Sequence, residues 1–259
     1  MNIVVCVKQV PDTASDRELT ESDSTLNRAS ADPWMNELDE FGIEAALQLT
    51  EKHGGEVTVL SIGPDKAAET IRKALSMGAD KAVHISDEAL HGSDALIISE
   101  VMAKALGRIG FDLVILGSES TDAKMGVLAA MLAERLGLPQ LSYATKVEAD
   151  GKTVTINRLA DYGYDTVEAT LPAVLSVVEK INEPRYPSFK GIMAAKKKPV
   201  EKLTLADLEI DPAQTGLAAS ATEVVSFAAR PPRQAGTIVA DEGEGGVAAA
   251  DFLAAGKFI

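Results

Sequence analysis

With 259 residues, the chain has room for one large domain, or for one domain plus an extension. It is 46% apolar but only 4% aromatic, so aliphatics and alanine must fill its core. A formal charge of −14 argues against nucleic acid and against anionic membranes as partners, because both need clustered Lys and Arg.

Cys6 is the single cysteine, so no intrachain disulfide can form, and His53, His84 and His91 are scattered without metal-ligand spacing. Residues 1–7 are too short and lack the basic leader of a signal peptide, and no apolar run reaches the ~18 residues of a membrane span. Together with the lone cysteine, this predicts a cytoplasmic protein.

Residues 2–7 (NIVVCV) form an apolar, β-branched run that reads as a strand buried on both faces. Residues 11–32 are polar and read as a loop. A helix is expected from Asn36, with Asn36 as its cap, Asp39 at the favourable third position, and Leu38, Phe41, Ala45 and Leu49 on one face. Gly54-Gly55 ends it. A second unit follows: strand 56–62, the Gly63-Pro64 turn, and a helix carrying Ala67, Ile71, Ala74 and Leu75 that stops at Gly78. Strand 81–85 leads to a helix capped by Ser93 and reaching about Leu106. Strand 112–116 ends at Gly117, and a helix over 122–136 closes at Gly137. Four strand–helix units in succession predict a doubly wound α/β fold with a mostly parallel sheet.

Beyond Gly137, residues 141–147, 153–159, 165–171 and 173–178 read as strands, with Asp150-Gly151 as a turn between the first two. This part of the sheet is expected to be antiparallel or mixed. From Asn182 the chain becomes irregular, and residues 207–245 are rich in Ala, Pro, Gly and acidic residues. The expected organisation is an α/β domain over 1–205 and an extended arm over 206–259. That arm would carry a strand-like piece at 223–227 and a last helix near 246–255, and it would need a partner for order.

Ligands of parallel α/β sheets bind beyond the carboxyl ends of the strands. Three segments meet there: the loop after Val7, the Ile62-Gly63 turn, and the loop 117–126 (GSESTDAKMG). Gly117 permits a tight exit, Ser118, Ser120 and Thr121 offer hydroxyls, and the start of the next helix offers amides suited to a phosphate. Gly126 lets a backbone approach closely. An ordinary strand–loop–helix junction capped by Thr121 is the plain alternative. Neither a GxGxxG nor a P-loop occurs. Cys6 reads as inert core and His84 as structural, no carboxylates pair into an acid–base dyad, and no GxSxG is present, so no catalytic residues are expected. The run from Lys196 through Lys197 to Lys198 is either a solvated helix end or a docking surface for an acidic partner.

The segment 182–198, NEPRYPSFKGIMAAKKK, strongly resembles the partner-recognition loop of electron-transfer flavoprotein beta subunits. VVCVKQVPD, MNELDEFGIEAAL, ETIRKALSMGAD and LPAVLSV are also similar to that family, so the resemblance covers about residues 1–205. It implies an adenine-nucleotide-binding (HUP-like) fold and a heterodimer whose FAD is held mainly by an alpha subunit. It further implies a structural AMP in beta, or a second FAD there in electron-bifurcating relatives. Electrons would pass from acyl-CoA-type dehydrogenases, as in fatty acid β-oxidation, to a quinone oxidoreductase or another acceptor. The family's nucleotide positions fall on Cys6, on Asn36, Glu37, Leu38 and Asp39, on Ile62, and on Gly117, Ser118, Ser120, Thr121, Ala123, Lys124, Met125 and Gly126. Its recognition loop, 184–198, falls on Tyr186, Phe189, Ile192, Met193, Lys196, Lys197 and Lys198, with Phe189 at the place of a leucine anchor. The loop 117–126 is shorter than in one form of the family and has Met125-Gly126 where that form has Thr-Gly. The rival readings are a stand-alone adenine-nucleotide-binding protein of the stress-protein type and an adenylating or hydrolytic enzyme. Adenylating enzymes carry Ser-Gly-Gly after the first strand, where this chain has Lys8-Gln9-Val10-Pro11. Hydrolysis would need a nucleophile–base pair.

Overall fold

The computed structural model describes every residue except Gln234, Ala235 and Thr237, so that part of the expected arm lies outside the described residues. Alternation along β1 (Asn2–Cys6) sets the layering. Ile3, Val5 and Val7 point to one side of the sheet, and Val4 and Cys6 to the other. A strand apolar at every position has to be covered on both faces. On the first side lie α1 (Glu37–His53) and α2 (Ala68–Met77), through Ile43, Leu47, Ile71 and Leu75. On the other lie α3 (Ala95–Ile109) and α4 (Leu128–Leu136), through Val101, Leu106 and Leu132.

The remaining strands are β2 (Gln9–Pro11), β3 (Pro33–Met35), β4 (Glu56–Ile62), β5 (Lys81–Ile85), β6 (Leu113–Gly117), β7 (Gln140–Ala149), β8 (Thr153–Ala160), β9 (Gly163–Thr170), β10 (Ala173–Val177) and β11 (Val200–Leu203). With β1, eight of them form one nine-stranded sheet in the order β11-β5-β4-β1-β6-β10-β7-β8-β9. From β11 to β7 the pairs are parallel, and β7-β8 and β8-β9 are antiparallel. The fold is thus α/β with a mostly parallel sheet and later antiparallel strands, as the sequence predicts. The chain first adds strands on one side of β1 (β4, β5) and then on the other (β6). Such a reversal is where parallel sheets open a crevice, and here it falls at the carboxyl ends of β1 and β6.

Several local expectations are corrected. The third helix is capped by Asp94, not Ser93: the Asp94 carboxylate accepts from the amides of Leu96 and Ile97. The helix expected over 122–136 begins only at Leu128, because the chain first makes an irregular turn with Lys124 at φ 50° and Gly126 at φ 65°. The loop 11–32 ends in β3, which pairs antiparallel with β2. The stripe on α1 is wider than Leu38, Phe41, Ala45 and Leu49, because Ile43, Ala46 and Leu47 are buried as well. Residues 223–227 form no strand.

Two compact units divide between Val225 and Ser226, further along than the expected 205/206 boundary. The reason is apolar: Leu203, Leu205, Leu208 and Ile210 are buried in the core on the α3 side. The second unit, Ser226–Ile259, carries α6 (Gly245–Ala255), in which no residue is buried and whose Phe252 stacks on Phe258. No described helix is long and apolar enough to cross a membrane.

Candidate functional site

The crevice at the ends of β1 and β6 is organised by one buried carboxylate. Asp39, in the first turn of α1, accepts from the Lys8 amide (2.8 Å) and from Asn36 Nδ2 (2.9 Å). The Gly117 amide lies close enough to pull the Asp39 acid down. Three chain segments thereby meet at one point. Burial pushes the Asp39 acid up to about 7, against the pull of the Lys8 amide, Asn36, the Lys8 charge and the Gly117 amide. Gly117 is required by space: a Cβ there would lie 2.6 Å from Asp39 Oδ1 and 2.8 Å from Leu38 Cβ. Asn36 makes no side-chain cap bond on α1. Instead it reaches across, donating to the Glu119 carbonyl (3.0 Å) and accepting from the Thr121 amide (3.0 Å). The expected cap is therefore a clamp between α1 and the loop after β6.

That loop carries the polar lining. The Lys124 amide donates to the Ser120 carbonyl (2.8 Å), while the amides of Ala123, Met125 and Gly126 have no protein acceptor among the described residues. A left-handed residue flanked by such amides suits an anion. Thr121 Oγ1 is buried and lacks a partner, so Thr121 caps nothing. Above it, Lys8 Nζ donates to Asp122 Oδ1 (2.7 Å) and Ser120 Oγ (3.3 Å), and Arg28 Nη2 donates to Asp122 Oδ2 (3.3 Å). The Asp122 side chain is 3% exposed, against 39% and 40% for Lys8 and Arg28. Burial alone would raise the Asp122 acid, but the Lys8 charge and hydrogen bond, with Ser120 and Arg28, hold it below the usual range.

The structure brings Asn36, Asp39, Gly117, Ser120 and Thr121 together, with Leu38 packed against Gly117. Ser118 follows on the same exit, its amide bonded to the Val177 carbonyl at 2.9 Å. Cys6 lies beneath, and burial followed by the nearby Asp39 charge pushes its thiol far up, so it is inert. Ile62 ends β4, half-buried, and His84 Nε2 donates to the adjoining Gly63 carbonyl (3.0 Å), which makes His84 structural. Glu37 is exposed and accepts from Thr13 Oγ1 (3.3 Å), and Ala123, Lys124 and Met125 are exposed on the loop. Sequence reasoning missed Lys8, Arg28 and Asp122 as a group. Asp122 lay inside the flagged loop and Lys8 just beyond a flagged strand, but Arg28 sits in a polar stretch that carries no signal.

The second candidate surface lies elsewhere, on α5 (Phe189–Ala195), which packs against α2. Ser188 caps it, accepting from the Gly191 amide (3.0 Å). Gly191 allows close packing: a Cβ there would meet the Ser76 carbonyl at 2.4 Å. Tyr186 and Phe189 are 96% and 81% exposed, with Ile192 and Met193 about half exposed beside them. Lys196 and Lys197 are exposed. Lys198 is not part of that surface, because its ammonium turns inward onto the carbonyls of Leu75 (2.9 Å), Gly78 (3.1 Å) and Ala79 (2.5 Å). It thereby satisfies the carboxyl end of α2.

A family model of the electron transfer flavoprotein domain matches residues 23–208. The chain is similar over its whole length to electron transfer flavoprotein subunits beta of Mycobacterium tuberculosis (53% identical, covering 99% of the relative) and Mycobacterium leprae (51%, 99%). It is 33% identical to a caffeyl-CoA reductase-Etf complex subunit, CarD, of Acetobacterium woodii, with 92% of each chain covered.

Proposed function

This chain belongs to the electron transfer flavoprotein family as a beta subunit, and from that premise we propose a specific division of labour. An alpha subunit holds the FAD, and this chain binds one AMP at the carboxyl ends of β1, β4 and β6. The pair carries electrons, in the cytoplasm, from acyl-CoA-type dehydrogenases to a quinone oxidoreductase or another acceptor. The observation that carries the nucleotide half is the crevice itself: unpartnered loop amides, a buried orphan hydroxyl and a glycine exit meet at the switch point of a parallel sheet. AMP is held there for structure: among the described residues, the crevice brings no nucleophile–base pair together to act on it.

We assign partner binding to the arm as well. Its exposed Phe252, Phe258 and Ile259 would be covered by alpha. Purified with its alpha subunit, the full chain should show a flavin spectrum and release one AMP and one FAD per heterodimer. A chain ended at Val225 should fold but lose alpha. Two FAD and no AMP per dimer would favour the bifurcating reading, and a colourless monomer that hydrolyses ATP would overturn the carrier reading.

Docking of the dehydrogenase is assigned to Phe189. A large apolar side chain 81% exposed at the start of α5 costs solubility and offers an anchor. Phe189→Ala should weaken the dehydrogenase complex by about 2 kcal/mol, roughly thirtyfold, and slow electron transfer without changing FAD content. Transfer at the wild-type rate would remove Phe189 from the interface. Lys196 and Lys197 should govern encounter rate, with a salt dependence.

A further inference from the structure

We propose that Lys8 and Arg28, preset by Asp122, are the charges that read the phosphate of the bound nucleotide, and that Arg28 thereby couples the loop 12–32 to occupancy of the crevice. This rests on the nucleotide reading above. Three independent observations carry it. The first is electrostatic. Two cations share one nearly buried carboxylate, so these three side chains together carry one net positive charge, in a chain of net charge −14. Asp122 is covered by its two partners, while they retain 39% and 40% exposure, so the open side of the group is cationic. A phosphate monoester can accept from both without displacing Asp122, because Lys and Arg each have several N–H donors.

The second is adjacency. Lys8 Nζ is 3.3 Å from Ser120 Oγ, and Ser120 begins the turn whose later amides have no protein acceptor. Thr121, the next residue, presents a buried hydroxyl without a partner. The donors needed for the phosphate oxygens therefore sit next to the charges needed to neutralise them. The third is connectivity. Arg28 also donates to the Gln9 carbonyl (3.1 Å), so it links the middle of a long polar loop to the exit of β1. The carboxylate clamp is what holds that loop side chain over the site. Lys8 in turn is fixed at its root, because its amide is held by Asp39.

The test uses the heterodimer, with endogenous nucleotide exchanged out by dialysis and labelled AMP and labelled adenosine titrated separately. Wild type should prefer AMP to adenosine. Lys8→Met and Arg28→Gln should each lower that preference roughly tenfold or more and flatten the salt dependence of AMP binding, with adenosine affinity unchanged. Arg28→Lys, which keeps the charge, should recover most of the loss. In the nucleotide-bound wild type, loop 12–32 should resist proteolysis better than in the emptied protein, and Arg28→Gln should abolish the difference. A wild type that binds neither ligand overturns the nucleotide reading itself. An AMP preference unchanged in both variants overturns only the assignment to Lys8 and Arg28. A parallel loss of AMP and adenosine makes the group structural, and also overturns it.

Discussion

Asp39→Leu should destabilise the fold by about 3 kcal/mol or more, read as a lowered urea midpoint at neutral pH. Asp39 is the shared acceptor of the Lys8 amide and Asn36 Nδ2, at a site 5% exposed. Leucine fills similar space but leaves these donors without an acceptor, and each buried orphan costs about 1–3 kcal/mol. A loss below about 1 kcal/mol would mean that water reaches the two donors. The same residue sets a pH dependence. Burial raises its acid from 3.8 to about 7. Between those values the folded state binds more protons than the unfolded one, so Asp39's contribution to stability falls as pH rises through the window and is constant above it. Asp39→Asn cannot titrate. Its difference from wild type should therefore drift with pH between 3.8 and about 7, and be flat if the acid keeps its ordinary value.

Arg185→Ala should cost about 3 kcal/mol at neutral pH. The guanidinium grips Glu44 through Nε (2.7 Å) and Nη2 (3.0 Å), and Glu51 through Nη1 (2.6 Å) and Nη2 (3.2 Å). The Glu44 side chain is only 5% exposed, so removing its partner strands a charge inside the fold. Burial by itself raises the Glu44 acid, but the hydrogen bonds from Arg185 and Gln48 and the Arg185 charge outweigh it and hold the group below its usual value. A depressed acid contributes stability above its unfolded value that is lost as pH falls through its folded one. The gap between wild type and variant should therefore narrow as pH falls below 4.5 toward the depressed folded value of Glu44. A double-mutant cycle with Glu44→Gln should give a coupling well above the 0.2–1 kcal/mol or so of an exposed pair. A coupling near zero would show that the pair is solvated. Because Arg185 anchors the segment that leads to Phe189, its loss should also weaken the docking proposed for Phe189, whereas Phe189→Ala should leave stability unchanged.

The strands and helices of the first half were legible because each one is apolar in a way that its period reveals. β1 is apolar and buried from Ile3 to Cys6, β4 is buried from Val57 to Ser61, and the stripe on α2 is clean. β11 was not legible. Only Leu203 of its four residues is buried, so it has no periodicity, and it exists because β5 offers an unpaired edge. The same holds for β3, a three-residue strand made by pairing with β2. The loop 117–126 could be flagged from its glycines and hydroxyls, but its late helix start follows from the left-handed Lys124 and Gly126, and a local pattern does not encode where a chain will be bent by what it packs on.

What the amino-acid order determined by itself was therefore the layering and the crevice. Alternation dictates which strand is covered on both faces, and the order of strand–helix units dictates where the winding reverses. The family was also carried locally, by the run 182–198. Only the tertiary structure decided which polar groups meet. Lys8 and Asp122 are 114 residues apart, Arg28 and Asp122 94, and Asn36 and Thr121 85. It likewise turned Lys198 inward onto the end of α2 while leaving Lys196 and Lys197 outside. The physical reason is range. Hydrophobic periodicity is a property of neighbours along the chain, whereas a buried charge takes its partner from whatever the completed sheet brings within reach, and that partner leaves no trace in the local sequence.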